Sequence, residues 1–415
     1  MSGGFFRSRW VDVPDGVSEA PQGGLPDGFR AAGVAAGLKE SGNPDVGLLV
    51  CDTTDATSAA RFTRSGVLAA PVVVTKQRAR LDGLRAVAVN SGNANAATGG
   101  RGLDDAAKMQ GAAAIAAGVP HERVAVASTG VIGVPLDTLA IVSGLARAAG
   151  QLRRDGDADF TAAIMTTDAF EKRATLDMTM PSGAAVRLSA QAKGAGMIQP
   201  SFATMLCFVK TDAALSAETA DLLLGVTVKR SFDRISVDGQ LSTNDTALLM
   251  AGGASGVRIE PETADELAFG QALDALLRQL ALQIVGDGEG SERVGRVVVT
   301  GGDGVAVERA ARSVANSPLV KAALNGGDPN WGRIAQAGGG ALTDSAPLEL
   351  DIAIEGVPVC ARGAARPFDE AALARSVQRD EVEYVVGLPG EGFETEVFFS
   401  DLSHGYVTIN ADYTT

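Results

Sequence analysis

The sequence predicts a mixed α and β fold in which layered sheets carry helices on their outer faces. Strand-like segments come in pairs, helix-like segments also come in pairs, and the two kinds do not alternate strictly as they would in one doubly wound sheet. A chain of 415 residues with 46% hydrophobic content can bury a large core, divided into two or three lobes. We therefore expect stacked sheets.

The first half of the chain contains the clearest paired strands. Residues 1–45 hold scattered proline and glycine and are predicted to be irregular. Apolar, β-branched runs predict strands at residues 46–51, 70–75, 84–89 and 124–127. Apolar residues at helical spacing predict helices at residues 103–117, 136–152 and 160–166. A hairpin is predicted at residues 173–180 and 185–191, with Pro-Ser-Gly as its turn.

The second half begins with a predicted buried strand at residues 204–209. Amphipathic patterns then predict helices at residues 217–232, 264–284, 305–316 and 368–378. Further strands are predicted at residues 295–300, 348–354, 357–360, 381–386, 393–399 and 405–409.

Charge and composition narrow the classes of partner and site. The net charge of −14 argues against nucleic acid or an anionic membrane surface as a partner, and no apolar run approaches the roughly 20 residues of a membrane span. The isolated Cys51, Cys207 and Cys360 indicate buried thiols in a reducing compartment, which predicts a cytoplasmic protein. His121 and His404 lack metal-site spacing and argue against zinc and against a histidine-dependent triad.

The central stretch from Lys193 contains two glycines and Pro200, which predict a loop leading into the strand at 204–209. A threonine hydroxyl becomes an effective nucleophile at a chain N-terminus, where its own α-amine acts as the base. That amine has a pKa of about 7.7–8.0 and can accept a proton near neutrality. Thr204 gains it only if the chain is cut after Ala203. An ordinary turn entering a strand explains the same residues equally simply.

Other segments carry groups suited to catalysis or binding. Thr129 and Gly130 follow a predicted strand and offer a hydroxyl and a backbone N–H, the parts of an oxyanion hole. Thr166, next to Thr167 and Asp168, could bind substrate or cap a helix end, and Glu289 between glycines could bind an amine. Each segment also has a purely structural explanation, as a turn, a cap or a solvated loop.

Three more segments have the same ambiguity. The asparagine-rich residues 90–96 suit either a structural loop or a ligand contact. Residues 328–333, with a tryptophan and an arginine, favour a structural role. The C-terminal residues 410–415 end abruptly, so they either pack into a site or fray.

Taken in order, these segments resemble the ornithine acetyltransferase family, the bifunctional glutamate N-acetyltransferases of arginine biosynthesis. The resemblance covers about residues 29–415 and lies in segments 28–37, 90–96, 128–133, 163–168, 193–206, 242–246, 287–290, 316–321, 328–333 and 410–415. Each motif is weak alone, but the ordered series is specific.

The resemblance implies a two-lobed, layered αββα fold like that of β-peptidyl aminopeptidases. It implies self-cleavage between Ala203 and Thr204, giving an α chain of residues 1–203 and a β chain of residues 204–415. Thr204 would be the nucleophile, with Thr129 and Gly130 as the oxyanion hole. The implied substrate-binding positions are Thr166, Lys193, Thr204, Glu289, Asn410 and Thr415.

The resemblance also implies a reaction and an assembly. An acetyl group would pass from N2-acetylornithine to glutamate by a ping-pong mechanism, with no metal or cofactor, in a homo-assembly of αβ units that is α2β2 or higher. Acetyl-CoA as a further donor stays open.

Departures beside the predicted site leave the exact substrates open. Asp168-Ala-Phe-Glu-Lys stands where Asp-Thr-x-Pro-Lys is more common, and Glu289-Gly-Ser-Glu-Arg replaces Glu-Gly-Ala-Thr-Lys. Residues 62–67 and 238–243 also differ from the family pattern. Three alternatives therefore remain: a paralogue with another acyl donor or acceptor, an N-terminal-nucleophile amidohydrolase that uses water, and a non-catalytic binding protein.

Overall fold

A computed structural model gives the fold for residues 4–20, 23–199 and 205–412. These residues form three β-sheets with helices packed against them. The strands are β1 (Val17–Glu19), β2 (Phe29–Val34), β3 (Val46–Cys51), β4 (Thr57–Phe62), β5 (Ala86–Asn93), β6 (Val124–Val131), β7 (Lys172–Thr179), β8 (Ala185–Lys193), β9 (Leu206–Thr211), β10 (Ile235–Ser236), β11 (Thr246–Ala251), β12 (Val294–Thr300), β13 (Asp351–Ile354), β14 (Val357–Ala361), β15 (Ala364–Ala365), β16 (Glu381–Gly387) and β17 (Glu394–Ser400).

The α-helices follow the strands in the chain without a regular alternation. They are α1 (Ala70–Arg78), α2 (Gly99–Ala117), α3 (Thr138–Ala149), α4 (Asp157–Ile164), α5 (Ala217–Arg230), α6 (Ala264–Gly286), α7 (Gly304–Asn316), α8 (Pro318–Gly326), α9 (Trp331–Ala341), α10 (Glu370–Ser376) and α11 (His404–Asp412).

A four-stranded sheet and a six-stranded sheet face each other in the first part of the fold. Their strand orders are β2-β3-β5-β6 and β1-β7-β8-β9-β11-β4. Buried apolar side chains from β3, β5 and β6 meet those of β9 and β11, for example Leu49 and Phe208. Helices α1 to α3 cover the outer face of the smaller sheet, and α5 and α6 cover that of the larger one. The predicted mixed fold with αββα layers is confirmed, and we refer to this part as the sandwich.

The six-stranded sheet takes strands from both sides of the predicted cut. Strand β8, which ends at Lys193, pairs antiparallel with β9, and Lys193 lies opposite Leu206. Strand β9 also pairs in parallel with β11. The division into chains 1–203 and 204–415 stays a prediction, because Ala203 and Thr204 lie outside the described residues.

A seven-stranded sheet, β10-β17-β12-β16-β13-β14-β15, forms a second part that we call the seven-stranded body. Its central strand β12 pairs in parallel with β16 and antiparallel with β17. Helices α7 and α9 pack on it and bury Val307 and Ile334 in an apolar core. Helix α6 contacts both β8 and β17, and Phe398 belongs to the core around α6, so α6 joins the body to the sandwich.

The predicted strand at residues 70–75 is wrong, because these residues begin helix α1. Three consecutive valines favoured a strand, but Pro71 occupies the first turn of the helix, where its missing N–H has no cost. Val72 and Val74 are buried, and α1 packs against α2 and β6. Tertiary packing therefore overrides the β preference of the valines.

The predictions at the two ends of the chain also need correction. Residues 405–409 belong to helix α11, whose first turn is capped by the Ser403 hydroxyl, which accepts from the backbone N–H of Gly405 at 3.0 Å. Residues 29–34, predicted to be irregular, form β2, whose small residues fit beneath α4. None of the helices in the described ranges is long and apolar enough to cross a membrane.

Candidate active site

A cavity of about 230 Å³ opens where the two sheets of the sandwich meet the C-terminal helix. It brings together residues from seven separate segments of the chain. The predicted site residues that line it are Thr129, Gly130, Thr166, Lys193, Glu289 and Asn410. Thr167 also lines it, so the one-residue ambiguity beside Thr166 stays. The predicted Ala203, Thr204 and Thr415 lie outside the described residues.

Met205 directly follows the predicted nucleophile in the sequence. The Met205 backbone N–H donates to the Asp245 carboxylate at 3.1 Å, and the next residue starts β9 opposite Lys193. Asp245 is buried, and burial raises the pKa of its carboxyl well above the usual range. The start of β9 is thus held firmly beside the cavity.

The predicted oxyanion-hole residues, Thr129 and Gly130, lie at the end of β6, where it runs parallel to β5 and the register shifts. Gly130 has a φ of 132°, a conformation that side chains rarely adopt. A Cβ at this position would lie 2.3 Å from the backbone carbonyl carbon of Gly92, so only glycine fits. This geometry leaves the Thr129 hydroxyl and the Gly130 backbone at the cavity wall.

The asparagine-rich loop supports this turn from behind. The Asn90 amide donates to the backbone carbonyl of Asn93 at 2.9 Å and accepts from the Ser128 hydroxyl at 2.5 Å. The Asn95 side chain donates to the backbone carbonyl of Gly102 at 3.0 Å. These contacts favour the structural interpretation of residues 90–96, since the loop fixes the strand that carries Thr129.

Lys193 is the cation of the cavity wall. Its ammonium group is 2% exposed and donates to the Thr129 hydroxyl oxygen at 3.0 Å. Burial lowers the pKa of Lys193, whereas the nearby Asp168 carboxylate raises it.

A buried ion cluster lies behind Lys193 and was not predicted from the sequence. Lys172 has no exposed side-chain surface; it donates to Asp168 at 2.7 Å and to Asp287 at closer range. The Asp168 carboxylate also accepts from the backbone N–H groups of Thr166 at 3.0 Å and Gly194 at 2.8 Å. Burial alone would raise the pKa of Asp168, but Lys172 and then Lys193 outweigh it and bring the pKa to about 2.

Glu289 contacts the C-terminal helix at the opposite side of the cavity. Its carboxylate accepts from the Asn410 side chain at 2.8 Å, and its backbone N–H donates to the Ala195 carbonyl at 3.0 Å. A Cβ at Gly290 would lie 2.4 Å from the Tyr406 backbone nitrogen, so a glycine is needed for α11 to approach this closely. Glu289 and Asn410, both predicted as substrate-binding positions, therefore line the same cavity, and their roles stay a prediction.

Two further carboxylates were missed because their partners are distant in sequence. Asp238 lines the cavity and accepts from the backbone N–H groups of Met197 at 2.6 Å and Ile198 at 2.9 Å. Neither Asp287 nor Asp238 belongs to a recognisable metal or catalytic motif. The only sequence signal for Asp287 was its position beside a glycine in the segment that contains Glu289. Within the described ranges, no group of His, Cys, Asp or Glu side chains could hold a metal ion.

The charges of the cavity suit a small zwitterionic ligand. Glu289 and Asp238 provide negative groups for an ammonium, and Lys193 provides a positive group for a carboxylate. A larger open cleft of about 900 Å³ lies between residues 9–15 and α6 and contains none of the predicted site residues. Arg333 is also outside the cavity and donates to the backbone carbonyl of Leu319 at 2.9 Å, which agrees with its expected structural role.

Comparisons with known proteins cover nearly the whole chain. The model of the ArgJ family matches residues 30–415. The arginine biosynthesis bifunctional protein ArgJ of Symbiobacterium thermophilum is 43% identical over 394 residues, covering 94% of this chain and 98% of the relative. The protein of the same name from Rhodopirellula baltica is 42% identical over 401 residues, covering 94% and 96%.

A solved structure is similar over part of the chain. It is that of ornithine acetyltransferase from Mycobacterium tuberculosis complexed with ornithine, at 37% sequence identity. The match covers 45% of this chain and 98% of that one, with a TM-score of 0.41.

Proposed function

This chain belongs to the ArgJ family, and we propose on that premise that it moves an acetyl group from N2-acetylornithine to glutamate in arginine biosynthesis. One observation carries the proposal beyond the family. The described residues of the predicted site converge on a single cavity, and β9, whose first residues follow Thr204 directly, starts at its edge. Acetyl transfer from N2-acetylornithine requires oxyanion donors for the reacting carbonyl, a cation for the substrate carboxylate and a carboxylate for its side-chain ammonium, and the residues of the cavity wall can supply all three.

We propose that the chain cuts itself between Ala203 and Thr204, and that Thr204 is then the nucleophile. The Thr204 hydroxyl attacks the acetyl carbonyl of N2-acetylornithine, and the Thr204 α-amine accepts the hydroxyl proton. The carbon–nitrogen bond breaks, the α-ammonium returns the proton to the leaving nitrogen, and ornithine departs. Glutamate then attacks the acetyl-threonine ester with its amino group and regenerates the hydroxyl.

Charge that develops on the carbonyl oxygen is stabilised by Thr129 and Gly130. The hydroxyl of one and the backbone N–H of the other lie at the cavity wall. One such donor typically contributes about 2.7–4 kcal/mol to lowering the barrier. Since both donors belong to a turn fixed by Gly92 and the asparagine loop, they need little rearrangement during the reaction.

The substrate's charged groups match the remaining side chains. Glu289 binds the side-chain ammonium of the ornithine part, and Asn410 holds the Glu289 carboxylate in place. Lys193 binds the α-carboxylate, because an ammonium has three donors and only one is used by Thr129. Thr166 and Thr415 complete the substrate-binding set.

We further propose that the cut enzyme works in the cytoplasm as pairs of αβ units. The reaction scheme requires no cofactor. Acetyl-CoA enters the proposal only as a second acetyl donor to the same threonine.

The test is an intact-mass measurement after brief incubation with N2-acetylornithine. We expect two fragments that meet at residues 203 and 204, and an added acetyl group on the fragment that starts at Thr204. The Thr204→Ala variant should stay uncut and inactive. Normal turnover by that variant would refute the assignment of Thr204 as the nucleophile.

A product assay then separates transfer from hydrolysis. With glutamate present, N-acetylglutamate should form in step with ornithine. Acetate release in place of acetylglutamate would show that water is the acceptor and would replace the proposed activity with that of an amidohydrolase. A parallel reaction with acetyl-CoA tests the second donor.

A further inference from the structure

The contact between Lys193 and Thr129 fixes which way the threonine hydroxyl can donate. The Thr129 oxygen lies 3.0 Å from the Lys193 ammonium nitrogen. An ammonium group can only donate hydrogen bonds, so the oxygen of Thr129 is the acceptor in this pair. The hydrogen of the hydroxyl must then point away from Lys193.

On the basis of the proposed function, we propose that Lys193 is a positioning residue that aims the Thr129 hydroxyl hydrogen into the oxyanion hole. We also propose that the ion cluster of Asp168, Lys172 and Asp287 holds Lys193 in this role. This goes beyond binding a substrate carboxylate, because Lys193 would act on the reaction through another residue of the protein.

The ion cluster is connected to Lys193 through the backbone. Asp168 receives the Lys172 ammonium at 2.7 Å and the backbone N–H of Gly194, the residue after Lys193, at 2.8 Å. Lys172 also binds Asp287, which accepts from the backbone N–H of Ala169 at 3.0 Å. One buried ammonium therefore ties together the segments that carry Thr166, Lys193 and Glu289.

The surrounding charges favour the ammonium form of Lys193. The charged groups that act on it are the carboxylates of Asp168, Asp245 and Glu289 and the ammonium groups of Lys172 and Lys39. Asp168 has the strongest effect among these charges, and its low pKa keeps it ionised, so loss of the Lys193 proton would remove a positive charge that stabilises a buried carboxylate. Burial works in the opposite direction and lowers the pKa of Lys193, which is why the carboxylates are needed.

A hydroxyl donor with a fixed orientation stabilises the oxyanion more than a freely rotating one does. A hydroxyl that can rotate exposes either its hydrogen or its lone pairs to the developing oxyanion. A donor fixed in advance needs no reorganisation when the charge appears. Lys193 supplies that fixation without contacting the reacting atoms.

A double-mutant cycle tests whether Lys193 acts through Thr129. Thr129→Val should lower kcat by about 10²–10³-fold, as the loss of one oxyanion donor does. Lys193→Met should lower kcat in the normal chain but cause no further fall in kcat when Thr129→Val is already present. Activities are expressed per cut chain, counted by intact mass. Two losses of kcat that multiply would overturn the proposal, because Lys193 would then act elsewhere.

The pH dependence of kcat gives a second test that does not require Thr129→Val. Asp168 raises the pKa of Lys193, so Asp168→Asn should make Lys193 lose its proton at lower pH. The alkaline limb of the profile should then move down by about 1–3 pH units, the usual effect of one close opposite charge. Asp287→Asn, which leaves the Asp168 carboxylate beside Lys193 in place, should move it less. An unmoved limb in Asp168→Asn would overturn the proposal.

A matched control removes a different buried lysine. Lys210 is fully buried on β9 and donates to Gln191 and to the Phe208 carbonyl, outside the cavity. Lys210→Met should leave kcat and the alkaline limb unchanged. The wild-type chain runs in parallel: a wild type that does not transfer acetyl refutes the proposed function, whereas an active wild type with multiplying losses refutes only the role of Lys193.

Discussion

The sandwich and the seven-stranded body use charged side chains in different ways. Three lysines of the sandwich, Lys172, Lys193 and Lys210, have essentially no exposed surface. In the seven-stranded body, Arg296 pairs with Glu383 at 2.6 Å and with Glu396 at 2.7 Å, and all three side chains stay about one-fifth to one-quarter exposed. Buried charge costs several kcal/mol per ion, so the presence of Lys193 at the cavity wall and of Lys172 in the ion cluster behind it indicates a functional reason.

Lys321 is a buried lysine of the seven-stranded body, but its position agrees with this comparison. It belongs to the body and is 4% exposed, but it donates to Ser400 at the end of β17. Ser400 in turn donates to the carbonyl of Val237, next to the cavity residue Asp238. The buried lysine of the body thus lies where the body meets the site.

The largest expected loss of stability is at Lys172, in the buried ion cluster of the sandwich. Lys172→Met leaves Asp168 and Asp287 buried without their shared cation, and we expect a loss of about 3–5 kcal/mol in the free energy of unfolding. Urea unfolding followed by circular dichroism measures it. Adding Asp287→Asn should recover part of the loss, and an unchanged midpoint in the single variant would contradict the role of the cluster.

The next effect is a difference between two glycines that both have a positive φ, Gly130 in the sandwich and Gly356 in the body. Gly130→Ala in the sandwich would place a Cβ 2.3 Å from the backbone of Gly92, whereas Gly356→Ala in the body meets nothing within 4 Å. Both carry a positive φ, so Gly356→Ala should cost about 1–2 kcal/mol, and Gly130→Ala should cost more and also lower kcat. Thermal melting and acetyl transfer of the two variants measure this, and equal losses would contradict the tight approach at β6.

A separate effect concerns the pH dependence of stability. Burial lowers the pKa of Lys210 to about 7, whereas the unfolded chain keeps a value of about 10.4. Between these two pH values the unfolded chain binds more protons, so the stability of the folded chain rises with pH. The stability difference between wild type and Lys210→Met should therefore shift in favour of wild type from about pH 7 to about pH 10. A constant difference across this range would mean that Lys210 stays charged when folded.

The smallest effect lies in the body. Arg296→Met removes two partly exposed ion pairs, and we expect the free energy of unfolding to fall by about 1 kcal/mol or less. High salt should reduce this loss further, because it screens exposed charges. A loss as large as that of Lys172→Met would erase the contrast between the two parts.

Much of the fold was predictable where local pattern and packing agree. The amphipathic helices at α5, α6 and α7 and the hairpin of β7 and β8 follow directly from their periodicity. The errors arose where local preference and tertiary packing disagree: the valines of α1 favour a strand in isolation. Strand β2, made of small residues, has too weak a pattern to be recognised.

The sequence predicted residues that line the cavity, but it did not predict the buried ion pairs that connect their segments. Thr129, Lys193 and Glu289 were identified from ordered motifs, and the structure places them in one cavity. Lys172 was overlooked because its partner Asp287 lies 115 residues away in the sequence. No local pattern reports such a contact, since only the packing of α6 against β7 brings the two together.

The shared six-stranded sheet has a consequence for how the mature protein is maintained. Strands β8 and β9 are hydrogen-bonded neighbours that the proposed cut assigns to different polypeptides. On this proposal, the uncut precursor would assemble the sheet within one molecule, at a rate independent of dilution. After the cut, a denatured enzyme would have to rejoin two separate chains, so its recovery would become second order in concentration. Cleavage would therefore make activation irreversible. The precursor folds readily as one chain, whereas the two cleaved chains refold together only with difficulty.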